Sequence, residues 1–319
     1  MSKTPTLAAQ ADIYALFQQT MQDPEFEVAF ITQRFQELRG RTPQVLREDF
    51  CGVGTLSAQW ARHAPEAVAH GVDERGDMLE WCQTHNLGAA ALAQRVQLHR
   101  GDVSITPTPA ADVLTAFNFA YSRHKTRAAL RQYFAAARQH LKPDGLFVLD
   151  AFGGTEVMGQ TIEETALEDQ AATFIWDQEH FNPITHELLA HIHFEFDDES
   201  EIEKAFTFDW RLWTLPELHE LLLEAGFKKV QFYWEKFVDA DELDEDDDLD
   251  DEDDDENLDD EDLDDEEVDD DALDDDELDE ELDILFDDGD DEMVGTGEYY
   301  AVTDVENQES WVAYIVAEA

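Results

Sequence analysis

The stretch that most constrains this chain is residues 44–60, QVLREDFCGVGTLSAQW. A short apolar run through Val45 and Leu46 meets Arg47, Glu48 and Asp49, then a turn holding Gly52 and Gly54, and a helical pattern begins directly afterwards. Glycine permits positive φ and lets a ligand approach bare backbone, and a helix start offers N–H groups that lack intrahelical partners. The turn is therefore a candidate cofactor site on a strand–turn–helix unit.

The rest of the chain extends that unit. Strand patterns at residues 67–73, 95–102, 111–119 and 146–150 alternate with helical patterns at 77–86 and 122–141. Strands joined by crossover helices imply a parallel, doubly wound sheet. Two helices precede it, at 9–21 and 23–38, the second opened by Asp23-Pro24 and closed by Gly40. Residues 173–177 and 188–196 alternate with period two around a turn at 182–185, which predicts a small antiparallel lid insertion. A helix at 215–225 follows, with Thr214 and Glu217 as a capping box, and then strands at 228–234 and 310–317.

Charge separates one segment from the others. The chain has 319 residues, 79 acidic and 20 basic, for a net charge of -59. Residues 239–292 hold 39 of those acids in 54 positions, with no Lys or Arg, which leaves 40 acidic against 20 basic residues elsewhere. Such like-charge density predicts a solvated, disordered low-complexity insert whose sparse leucines suit short partner-dependent helices, so a basic protein or cations are its expected partners. Nucleic acid is excluded as a partner by the absence of a basic surface. Two cysteines, Cys51 and Cys82, make neither a disulfide framework nor a zinc cluster, and no metal site is expected. The N-terminal segment lacks an apolar signal core and no run approaches the ~18 apolar residues of a membrane span, so the expectation is a soluble, cytoplasmic protein with no membrane partner.

With these elements in order, the chain resembles a class I S-adenosylmethionine-dependent methyltransferase from about residue 41 to 236 and again at the final strand. Glu48-Asp49-Phe50-Cys51-Gly52-Val53-Gly54 matches that family's acid-x-Gly-x-Gly-x-Gly turn at Glu48, Gly52 and Gly54, with Phe50 in place of the first glycine. The resemblance implies that the turn passes under the methionine part of S-adenosyl-L-methionine. It further implies that Asp73 accepts from both ribose hydroxyls, that Gly101 and Asp102 meet the adenine, and that Asn118 and Phe119 sit beside the reactive sulfonium. The implied fold is α/β, a doubly wound seven-stranded, mostly parallel sheet with an antiparallel last strand, plus the lid. The domain organisation expected is N-terminal helices over 1–40, a cofactor-binding half over 41–155, a lid and substrate half over 156–237, the acidic insert over 238–297, and the returning strand over 298–319.

The activity implied is in-line methyl transfer to a small molecule, for which a protein aligns the reactants in a dry site. No residue stands out as a general base; His124, His193 and Tyr121 are candidates by type alone. Trp176, Trp210 and Trp213 are expected to wall a substrate pocket. Asn118-Phe119-Ala120-Tyr121 lacks the Asn-Pro-Pro-Tyr/Phe form of enzymes that methylate planar nitrogens of nucleobases or glutamine. Arg47 fits a structural ion pair or a contact to the cofactor carboxylate. Two alternatives remain at this stage: an aminopropyl transferase on the same fold, and a non-catalytic binding protein whose acidic insert docks a basic partner. A dehydrogenase fits less well, because Gly52-Val53-Gly54-Thr55-Leu56-Ser57 ends in Ser where Gly-x-Gly-x-x-Gly needs glycine.

Overall fold

A computed structural model of the chain describes residues 5–21, 23–167, 171–239 and 293–319. The bulk of the acidic insert lies outside the described residues, and so does the disorder expected of it.

Three helices come first, α1 (Leu7–Gln10), α2 (Ile13–Met21) and α3 (Pro24–Arg39). The Asp23 side chain accepts from Phe26 N, and Gly40 closes α3 at φ 67 with its N–H on Gln36 O, so both helix-end signals act as written. The alternating part follows: β1 (Val45–Asp49), α4 (Thr55–His63), β2 (Val68–Asp73), α5 (Gly76–His85), α6 (Ala90–Ala93), β3 (Val96–Arg100), β4 (Ala111–Ala116), α7 (Arg127–Gln139) and β5 (Leu141–Gly153). The helical pattern over 122–141 is divided in the structure. Ala120–Arg123 make a single 3-10 turn, and α7 starts only after Thr126, whose side chain caps Ala129 N.

An antiparallel sheet comes next, ordered β6 (Thr161–Leu167), β7 (Ala172–Asn182), β8 (Glu187–Phe196) and β9 (Glu201–Arg211). The predicted lid is thus present with two strands more than the sequence pattern reveals. Helix α8 (Leu215–Glu224) carries the full capping box of Thr214 and Glu217. Strands β10 (Lys229–Asp239), β11 (Met293–Val302) and β12 (Trp311–Glu318) complete the chain.

The main sheet runs β11-β10-β12-β5-β4-β1-β2-β3. Strands β1, β2, β3, β4 and β5 pair in parallel, and β12 is antiparallel to both β5 and β10. Among the described residues the sheet therefore has eight strands, one beyond the seven expected. The addition is β11, which corrects the expected insert boundaries: residues 238–239 belong to β10 and residues 293–297 to β11. Strand order reverses between β1 and β4, and open α/β sheets bind ligands in the crevice at such a reversal, outside the carboxyl ends of the strands.

The described residues divide into two compact units, one within 5–234 with 301–319 and the other made of 235–239 with 293–300. In the second, Thr296 Oγ1 donates to Lys236 O (2.9 Å) and Gly297 N to Glu235 Oε1 (3.0 Å). In the first, one core packs α7 and α8 on the main sheet through Leu130, Phe134, Phe147, Leu218 and Leu221. Another ties α2, the glycine turn, α5 and the lid together through Leu16, Val53, Met78, Phe194 and Phe206, and it is this cluster that places the lid over the crevice. Among the described residues no helix is long and apolar enough to cross a membrane.

Candidate functional site

A cavity of about 600 Å³ opens at the reversal point, within the size range of pockets that take cofactors and small ligands. Its floor is the turn after β1. Phe50, Gly52 and Gly54 all have positive φ, at 59°, 50° and 64°. Phe50 thus takes the left-handed backbone that favours glycine, at a cost of roughly 1–2 kcal/mol for a residue with a Cβ. Its ring lies 5.3 Å from that of Tyr133, with the Arg123 guanidinium 5.7 Å from its centroid. Gly54 is required by packing as well as by φ, because a Cβ there would stand 2.6 Å from Cys82 Sγ.

Asp73, at the end of β2, is half-buried and braces this floor. Its Oδ2 accepts from Gly52 N (2.9 Å) and its Oδ1 from Arg75 N (2.7 Å). A carboxylate offers about four acceptor positions, so two remain for a ligand.

The second edge is the end of β4, where Asn118 and Phe119 also have positive φ, 55° and 54°. What holds two adjacent non-glycine residues there is Asp150 on β5. Its buried carboxyl accepts from Asn118 N (2.7 Å, Oδ2) and Phe119 N (3.0 Å, Oδ1). Asn118 then lines the cavity together with Phe117 and Ala120.

The roof is β9, the edge strand of the lid sheet. Every residue from Lys204 to Trp210 lines the cavity. Successive strand side chains alternate between faces, so seven consecutive lining residues mean that the cavity meets the strand along its open edge. The β8–β9 register shifts beside Ile192, and Lys204 turns to φ 50 there, with its Nζ held 2.8 Å from Glu179 and 3.2 Å from His191, two residues that do not line the cavity. Phe17 of α2 closes the rim against Phe206, centroids 4.5 Å apart. Gln18 fixes α2 in place by accepting from Thr55 Oγ1 (3.0 Å) and Asn86 Nδ2 (2.8 Å).

Beneath the floor lie buried carboxyls. Burial lifts Glu48 to about 7 and Asp150 to about 7, against opposing hydrogen bonds from Ser57 and from the Phe119 and Asn118 amides. Glu27 on α3 is pushed well above the usual range by burial and by the nearby Asp150 and Glu48 carboxyls, and its Oε2 has no hydrogen-bond partner. Arg47 is wholly buried in a structural pair: Nε donates to Asp49 Oδ1 (2.7 Å), and the other nitrogens reach Thr106 O, Thr108 Oγ1 and Val103 O. The alternative contact to a cofactor carboxylate is thereby set aside.

Of the residues expected to hold the cofactor, Phe50, Gly52, Asp73 and Asn118 line the cavity. Glu48 lies below the wall, accepting from Ser57 N and Ser57 Oγ, and Gly54 packs on Cys82. Gly101 and Asp102 are not on the wall; Gly101 N donates to Asp73 O, and the exposed Asp102 accepts from Ser104 N. Phe119 turns to a neighbouring cavity of about 250 Å³, where it meets Trp176 and Trp210. Trp210 lines both cavities.

Four of the expected residues lie away from both cavities. Trp213 belongs to the core on α8, 3% exposed, with the Arg211 guanidinium 3.8 Å over its ring. Tyr121 is buried with its OH donating to Asp150 O (2.8 Å). His124 stacks on Tyr133 at 5.1 Å, and His193 faces Asp177 (3.5 Å) while accepting from Lys204 N. None of these four lines either cavity. Conversely Phe17, Arg75, Met78, Arg123 and Lys204 line the first cavity without a recognisable sequence signal, because each arrives from a separate helix, loop or bulge.

The comparisons agree with this architecture. The chain carries the fold of the S-adenosylmethionine-dependent methyltransferases: a Clostridium acetobutylicum enzyme of that description superposes with TM-score 0.55 at 16% identity, over 68% of this chain and 87% of that one. An amino pentose methyltransferase, CalS10 from Micromonospora echinaspora, gives 0.55 at 18% identity, over 75% and 94%. The sugar N-methyltransferase KedS8 from a Streptoalloteichus species gives 0.53 at 18%, over 71% and 89%. Within the fold, residues 50–145 match the family model described as a methyltransferase domain. No curated protein matches the chain.

Proposed function

We propose that the protein is an S-adenosyl-L-methionine-dependent methyltransferase acting on a small molecule. The observation that carries this is the cavity at the strand-order reversal, floored by the bare Gly52 backbone and flanked by an Asp73 carboxylate with unused acceptor positions. Its volume, its glycine floor and its acceptor pair fit a ribose, an adenine and an amino acid, none of which carries phosphate.

When bound, the cofactor supplies an electrophilic methyl group on sulfur. The protein's part is alignment and exclusion of water. Asp73 accepts the ribose hydroxyls, and Phe50 with Arg123 covers the cofactor's flank. Asn118 and Phe119, held by Asp150, form the partition between the two cavities, and Phe17 with β9 closes the rim against solvent. The acceptor molecule reaches the methyl group from the smaller cavity, past Phe119 and Trp210.

Isothermal calorimetry with S-adenosyl-L-methionine tests this directly. Binding by the folded wild type, weakened about ten-fold or more in Asp73→Asn through loss of charge-assisted hydrogen bonds, is expected. No binding by a protein that unfolds cooperatively would remove the proposal.

A further inference from the structure

The smaller cavity has a composition unlike that of the first. Its walls are aromatic: Phe119, Phe152, Phe174, Trp176 and Trp210 line it, with Phe119 and Phe152 centroids 4.5 Å apart and Trp176 and Trp210 6.2 Å apart. Among the described residues its charged lining is Glu156 and Glu163, both exposed, and no described Lys, Arg or His lines it.

The remaining polar groups point the same way. Gln178 is 2% exposed and donates both amide protons, to Val157 O (2.8 Å) and Gly159 O (2.5 Å), so only its carbonyl oxygen is left to offer. The hydroxyls of Thr20, Thr161 and Ser310 accept as well as donate. The described lining is therefore rich in acceptors and π faces, and its side-chain donors are neutral: the indole N–H groups of Trp176 and Trp210 and the three hydroxyls. An anionic ligand would meet two like-charged carboxylates at the cavity's entrance, and a neutral one would gain nothing from them. A ligand bearing N–H donors and positive charge satisfies the carboxylates, the free amide oxygen and the ring faces together. The chain's large negative charge favours approach of the same class of molecule.

We propose that the methyl acceptor is an amine with a compact apolar or aromatic body, captured as its ammonium ion in the aromatic cavity between β7, β9 and the end of β4. This rests on the methyltransferase reading for the transfer step, though not for the binding. The amine gives up a proton to solvent past Glu156 and Glu163 and enters reaction as the free base. Its nitrogen lone pair then makes the new N–C bond while the C–S electron pair goes to sulfur, which leaves as a neutral thioether. The N-methyl product loses its surplus proton by the same route.

Three near-isosteres separate the possibilities: 2-phenylethylamine, 2-phenylethanol and 3-phenylpropanoate. Each is titrated against the full chain by tryptophan fluorescence and calorimetry, with and without S-adenosyl-L-methionine. The amine is expected to bind at least ten-fold more tightly than the alcohol, and the carboxylate not at all. In Glu156→Gln/Glu163→Gln that preference should fall about five-fold, as loss of exposed charge pairing predicts, while cofactor affinity stays unchanged. Equal affinity for amine and alcohol, or a preference unaffected by the double substitution, overturns the inference. Failure of cofactor binding alongside a preserved amine preference would remove the methyltransferase reading and leave the amine site standing.

Discussion

Asp150 supplies the sharpest test of how the site is built. Two consecutive non-glycine residues, Asn118 and Phe119, sit in left-handed backbone, and their amides converge on one buried carboxyl at 2.7 and 3.0 Å. Asp150→Ala removes both acceptors. Each orphaned donor costs about 1–3 kcal/mol, so the loss is about 2–6 kcal/mol, a large share of the ~5–15 kcal/mol by which domains are stable. Asp150→Asn keeps one oxygen and turns an N–H donor toward the other amide, so it falls between, at about 1–3 kcal/mol. Urea denaturation with m-values compared across variants measures both. Adding Asn118→Gly to Asp150→Ala should restore about 1 kcal/mol, because glycine removes the left-handed penalty. If Asp150→Ala shifts stability by less than about 1 kcal/mol, or if Asn118→Gly fails to restore any of the loss, the carboxyl is not what holds the turn.

Further outcomes follow from other parts of the floor. Glu48 and Asp150 both titrate near 7 in the folded protein, above their unfolded values, so folding holds protons that the unfolded chain releases. Their contribution is complete below about pH 4 and is lost as pH rises through about 7, a decline on the order of 3 kcal/mol for each, and Glu48→Gln should flatten that part of the stability–pH profile. A profile that rises across this interval in the wild type and is unchanged in Glu48→Gln would contradict the burial argument. Phe50→Ala and Phe50→Gly both lose the ring, but only alanine keeps the strained backbone. Glycine should therefore be the more stable by about 1–2 kcal/mol, in melts where equal stabilities would deny the strain. Gly54→Ala places a methyl 2.6 Å from Cys82 Sγ at φ 64, and should lower the melting temperature more than Gly52→Ala, whose added Cβ meets only Met78 Cε at 3.3 Å.

How far such a site shows in a sequence depends on which interactions carry it. The alternation that builds β1 to β5, the ends of α3 and the capping box of α8 are local signals, and each is found where its residues imply. Strand β6 is almost wholly exposed, and β9 loses its alternation at the Lys204 irregularity, so neither has a periodic pattern to find. The helix expected over 122–141 is present as α7 but starts only at Arg127, because a 3-10 turn at Ala120–Arg123 follows the backbone that Asp150 holds at Asn118 and Phe119. Trp213 and Trp210 are three residues apart and equally aromatic, and only tertiary packing sends one to the core and the other to the wall between two cavities. Phe50 departs from a glycine pattern, yet its backbone takes the left-handed conformation that favours glycine.

The open edge of β9 over the first cavity has a consequence for how this protein would be studied. Recognition that uses main-chain N–H and C=O groups survives nearly every change of side chain, since each residue type except proline presents the same two groups. If the cavity takes the proposed cofactor along this edge, alanine scanning across Lys204 to Trp210 would therefore under-report the strand's part in binding. Proline at those positions whose N–H points away from β8 deletes a donor without breaking a ladder bond, and is the substitution able to expose that contribution.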